Sequence, residues 1–142
     1  MRSYYTSALY RHIPDVKPIL PGLLYERDGV IVAGHSGVGK SIFVQTLSAS
    51  LVSGSRFLSW LPPVSPRNVA YLFTEGGLSY VKNRFQKIGV SENESRLLIT
   101  DFQENKLVED WTLLVEEFKR ANFKPEVIII DSLYASFTGT LI

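Results

Sequence analysis

Cysteine is absent from the 142 residues. That excludes a disulfide framework and any thiolate metal site, and it fits a reducing cytosol. Long apolar runs are missing too. Val30 to Ala33, Val69 to Phe73 and Val127 to Ile130 all fall far short of the ~20 residues a membrane helix needs. Neither sign of charge dominates. With a formal net charge of +1 the chain exerts no global pull on nucleic acid or an anionic membrane, although a basic face can hide inside a balanced total. Residues 1–11 carry Arg2 and Arg11 and no acid, as a transit peptide would. They lack the apolar centre of a secretion signal, and a short segment lying on the domain is the simpler reading. The expected location is cytoplasmic, with no membrane partner. No internal repeat or low-complexity tract is visible. What remains is ordinary for a globular protein: 45% hydrophobic and 20% charged residues, in a length that suits one domain with a core and is too short for two.

Pro14, Pro18, Pro21 and Gly22 fix an extended, turning lead-in. After the turn Asp28-Gly29, the β-branched run Val30-Ile31-Val32-Ala33 predicts a strand buried on both faces of a parallel sheet. Ser41 to Ser53 predicts a helix with Phe43, Val44, Leu47 and Leu51 on its apolar side, closed by Gly54. Leu61 to Pro66 is loop. Val69 to Phe73 is a second strand, ending at Thr74-Glu75-Gly76-Gly77. Leu78, Val81, Phe85 and Ile88 recur at helical spacing up to Gly89. Leu97 to Ile99 is a third strand. A third helix, from about Val108 to Arg120, carries Val108, Trp111, Val115 and Phe118 as its stripe and Glu116–Arg120 as an i,i+4 pair. The last strand, Val127 to Ile130, runs into Asp131-Ser132. Strands alternating with helices predict an α/β fold, a mostly parallel sheet with flanking helices.

One segment carries chemistry directly. Gly34-His35-Ser36-Gly37-Val38-Gly39-Lys40-Ser41 satisfies G-x-x-x-x-G-K-[ST] in full. A triphosphate must be wrapped by backbone N–H groups, and glycines let the chain curl that tightly. The loop opens a helix, whose free N–H groups and positive dipole end attract the anion. Lys40 can reach the β- and γ-phosphates, and Ser41 Oγ can ligate a hard cation. The expected ligand is ATP with Mg2+. His35 and Val38 fill variable positions, and His35 reads as a solvent-facing loop residue rather than a base or metal ligand.

Two acids end strands. Asp131 can hold the cation at the carboxyl edge of the sheet. An Asp-Ser after a strand can equally cap a helix or close a turn; the apolar run before Asp131 and the glycine loop upstream favour the metal role. Glu75 can orient or deprotonate a water near the γ-phosphate, or it can cap the helix beginning near Leu78. Gly76-Gly77 behind it form a joint that permits movement.

With Gly34 to Ser41, Tyr71 to Glu75 and Val127 to Ser132 identified, the chain resembles the RecA-like P-loop ATPases. Among these it is most similar to the RepA-type hexameric replicative helicases and related AAA-family ATPases of plasmids, phages and mobile elements. The resemblance covers about Gly22 to Ile142. It implies a 1–21 lead-in and a 22–142 partial RecA-like ATP-binding domain, with Glu75 as catalytic carboxylate alongside Lys40. It also implies Arg84 near the nucleotide, single-stranded DNA as partner, and a homo-oligomer, a hexamer in the full-length protein. In that family a further strand inserts between the glycine-loop strand and the strand ending at Asp131. The family order therefore predicts an incomplete sheet with an open slot, and a truncated gene product or fragment.

The leading expectation is an ATPase core acting on DNA. A P-loop kinase would need an acceptor pocket and an arginine-bearing lid, and Arg84, Arg96 and Arg120 are scattered. A GTPase would read guanine with Asn-Lys-x-Asp, and Asn105-Lys106-Leu107 is followed by Val108. The non-enzymatic alternative is a nucleotide-binding module without turnover.

Overall fold

A computed structural model describes residues 1–60, 62–104 and 107–133, without the side chains of Leu107 and Val108. Asn105, Lys106, the Val108 side chain and the expected domain's end at 134–142 lie outside the described residues.

Helix α1 (Thr6–His12) opens the chain and buries no residue. Tyr5 and Tyr10 are almost fully exposed. Strands β1 (Pro18–Leu20) and β2 (Leu24–Tyr25) then pair as a small antiparallel hairpin. The hairpin drives Ile19 and Leu20 inward. Ile19 joins the main core with Leu51, Val69 and Tyr71, so the packed unit takes in a residue ahead of the expected boundary at Gly22.

The central element is β3 (Val69–Phe73), buried at every position. It lies between β4 (Leu97–Asp101) and β5 (Val127–Asp131), parallel to both. Alternate side chains of a strand face opposite ways, and β3 obeys this sharply. Val69, Tyr71 and Phe73 face the core shared with Leu51 and Val52 of α2 (Lys40–Ser53) and with Val81 and Phe85 of α3 (Leu78–Ile88). Ala70 and Leu72 face Leu114 and Phe118 of α4 (Leu107–Arg120). The result is a three-stranded parallel sheet between helices, the α/β class expected. Register places Phe73 opposite both Asp101 and Asp131, so the carboxyl ends of all three strands share one edge.

Gly54 and Gly89 end α2 and α3 with φ of 73° and 94°, as expected of left-handed caps. Three other expectations need correction. The buried stripe of α4 is Leu114 and Phe118, whereas Trp111 is exposed, because the helix turns the 114/118 edge to β3. In α3, Val81 and Phe85 are buried while Leu78, at the first turn, is exposed. Arg120 pairs with Glu117, and it is Lys119 that reaches Glu116, at 3.8 Å.

The largest departure is the segment Val30 to Ala33, which is not a strand. Val30, Ile31 and Val32 are exposed. A strand requires ladder partners for its N–H and C=O groups about 4.8 Å away. Here a cavity of about 350 Å³ separates Val30–Val32 from β5 and continues to Val44 and Leu47 of α2. It also explains why Val44 and Leu47 are only partly buried and why Ile128, inside an apolar strand, is 36% exposed. Among the described residues β5 has a strand on one side only.

Candidate functional site

The glycine loop joins the unpaired segment to the head of α2. Gly37 and Gly39 have φ of 80° and 94°, a backbone region that L side chains rarely adopt. Gly39 is the N-cap of α2 and supplies no side-chain cap, and the first turn of the helix contains no acid. The N–H groups there are left for an external acceptor, with nothing to neutralise the positive dipole end. Lys40 Nζ bridges back across the loop, donating to the carbonyl oxygens of Gly34 at 2.8 Å and His35 at 2.7 Å. His35, Ser36 and Val38 are exposed.

At the second residue of α2, Ser41 Oγ donates to Asp131 Oδ1 at 3.1 Å, joining positions 90 residues apart. The end of β5 is held in place from β3. Thr74 N donates to the Asp131 carbonyl oxygen at 2.9 Å. The Thr74 hydroxyl donates to Ser132 O at 2.8 Å and accepts from Ser132 N at 2.7 Å. The second carboxylate oxygen, Asp131 Oδ2, accepts from the Tyr71 hydroxyl at 2.5 Å. That hydroxyl accepts in turn from Gln45 Nε2 at 3.1 Å. Burial, then the bond to Asp131 and its charge, push the Tyr71 phenol well above its ordinary value. It therefore keeps its proton and stays a donor.

A cavity of about 200 Å³ gathers Ser41, Gln45, Tyr71, Glu75, Arg84 and Asp131. Glu75 stands exposed just past the end of β3, and Arg84 enters from α3. Helix α3 is capped by Gly77 without any side-chain bond, which removes the reading of Glu75 as its cap. Asp131 likewise spends both carboxylate oxygens on Ser41 and Tyr71 and caps no helix among the described residues. Lys40 borders the larger cavity, which it shares with Asp131. Asp131 thus belongs to both cavities and joins the loop lysine's side of the site to that of Glu75.

The donors at this junction are a hydroxyl and a carboxylate, both hard oxygen ligands. No group of three or more His, Cys, Asp or Glu side chains able to hold a metal exists among the described residues. Such a site suits Mg2+, which takes one or two protein oxygens and completes its shell with phosphate and water.

Sequence reasoning missed Gln45 and Tyr71. Tyr71 was hidden inside an apolar strand pattern. Gln45 and Ser48 line a buried face of α2 with Val52, and both are fully buried. The usable signal was the spacing Ser41, Gln45, Ser48, which lines polar groups along one helix face.

A family model for the AAA domain matches residues 5–140. The chain belongs to the AAA domain family. No curated protein matches it. As an AAA domain it is an ATPase-type nucleotide-binding module, built on the α/β layers described above. AAA ATPases bind ATP with Mg2+. No described helix of this AAA domain is long and apolar enough to cross a membrane.

Proposed function

We propose that this AAA domain binds ATP·Mg2+ on Gly34–Ser41 and hydrolyses it, as the core of a RecA-like, RepA-type helicase or a related ATPase acting on single-stranded DNA. The Ser41–Asp131 contact carries the reading, since it brings the hydroxyl that follows the loop lysine onto the carboxylate ending β5. In this reading the loop amides and the head of α2 wrap the phosphates. Lys40 leaves the Gly34 and His35 carbonyls to meet the β- and γ-phosphates. Ser41 and Asp131 would hold Mg2+, which would supply charge neutralisation of the phosphate oxygens. Glu75, mobile on Gly76-Gly77, orients and deprotonates the attacking water. Arg84 offers a cation to the same cavity. The DNA substrate and a homo-oligomeric, hexameric assembly rest on the resemblance of the motifs to RepA-type helicases.

A second reading is a nucleotide-binding module without turnover. It is favoured by the unpaired state of Val30 to Ala33, which leaves the entry to the glycine loop outside the sheet. Measuring ATP binding and phosphate release separately, with and without single-stranded DNA, separates the two. Release that DNA accelerates supports the helicase-type ATPase; binding without release under either condition supports the module.

A further inference from the structure

Tyr71 and Gln45 form a polar chain at the core that runs from α2 through β3 to Asp131 of β5. Tyr71 has no exposed surface, and its ring meets Phe85 edge-on at 5.3 Å. A phenylalanine would fill the same core position without burying a hydroxyl, which requires a partner to be tolerated. The hydroxyl is not required to attach β5 to β3 either, because the two strands pair from Val69–Val127 to Phe73–Asp131 and Thr74 pins the end. Gln45 adds a further cost. Its Oε1 is buried without a hydrogen bond, while its Nε2 is committed to Tyr71. That orientation is forced. The hydroxyl's single proton goes to Asp131 Oδ2, so Gln45 must approach it with a donor. Every bond in the chain points one way, from amide to phenol to carboxylate.

We infer that Tyr71, oriented by Gln45, is a positioning residue. Its short bond to Asp131 Oδ2 fixes the carboxylate's rotation, so that Oδ1, the oxygen facing Ser41, is the one turned to the divalent cation. This rests on the cation-binding role proposed for Ser41 and Asp131. A carboxylate restricted to one oxygen suits Mg2+, which demands near-octahedral geometry. Ca2+ readily accepts bidentate carboxylates and a larger, looser shell. The Tyr71 hydroxyl therefore tunes both the affinity of the cation and the choice of cation.

The test compares the parent chain with Tyr71→Phe and with the double variant Tyr71→Phe/Gln45→Leu, which removes the amide that the single change would orphan. A fluorescent ATP analogue is titrated in EDTA, in Mg2+ and in Ca2+, alongside thermal unfolding. Both variants should unfold cooperatively and bind the analogue in EDTA as the parent does. The gain in affinity from Mg2+ should fall by about tenfold, the scale on which outer-sphere partners of metal ligands act. The gain from Ca2+ should fall less, narrowing the preference for Mg2+. Parent-like gains with both cations overturn the inference while leaving the nucleotide site standing. Loss of the cooperative transition in both variants overturns it too, by assigning the hydroxyl to folding. A parent chain that binds no analogue under any condition overturns the nucleotide reading itself.

Discussion

Lys40 closes its own loop: its Nζ donates to the carbonyl oxygen of Gly34 at 2.8 Å. With the second bond, to His35, the ammonium occupies acceptors that a triphosphate would replace. Lys40→Ala should therefore weaken ATP binding by about 10- to 100-fold, the range expected for losing charge-assisted hydrogen bonds. Titration of a fluorescent ATP analogue checks this, and an unchanged affinity would remove the loop from the binding site.

Glu75 touches the cavity shared by Ser41 and Asp131 but supports no helix cap. Glu75→Gln should keep ATP binding and cut phosphate release by ~10²–10⁴-fold, as for loss of a positioned base. Turnover near the parent rate would exclude Glu75 as the base.

Leu114 is 2% exposed and packs with Ala70, Leu72 and Phe118. Leu114→Ala should destabilise the domain by about 2–5 kcal/mol through lost burial and the cavity left behind. Trp111→Ala, at a residue 46% exposed, should cost clearly less. Chemical denaturation of the two variants ranks them, and the reverse order would mean that α4 turns a different face to the sheet.

Glu126 accepts from Asn68 N at 2.9 Å and from Arg67 Nη1 at 3.1 Å. These bonds, with the backbone one foremost, hold its carboxyl below the usual range. A lowered folded value means a stabilising contribution that is full above the unfolded glutamate range and lost as pH falls through the folded value. The side chain is 42% exposed, so solvent screening limits the effect to less than about 1 kcal/mol. Glu126→Gln should lower the thermal midpoint at neutral pH, and the difference should fade below about pH 4. A gap of equal size in acid would show that charge is not its origin.

Features governed by local physics were legible in the residues alone. Gly54 and Gly89 end helices because a left-handed residue costs glycine little, and no distant contact alters that. The glycine loop and the strand-to-acid endings at Glu75 and Asp131 were legible for the same reason. Val30 to Ala33 was not. Its composition suits a strand, but a strand is a relation between two backbones, and across the cavity β5 offers none. The choice of Leu114 over Trp111 as the buried position of α4 also escaped periodicity, because several rotations of that helix bury apolar groups.

The order of residues determined by itself which backbone stretches can cradle an anion and which strands end in carboxylates, since both depend on near neighbours along the chain. Only the folded arrangement decided that Tyr71, in the middle of an apolar strand, would meet Asp131, and that Gln45 would stand behind it. Parallel pairing at fixed register levels the ends of β3 and β5, and the packing of α2 over that face brings an amide from one element to a phenol from another. Such a meeting has no local signature, because its geometry exists only once the sheet and helix have closed on each other.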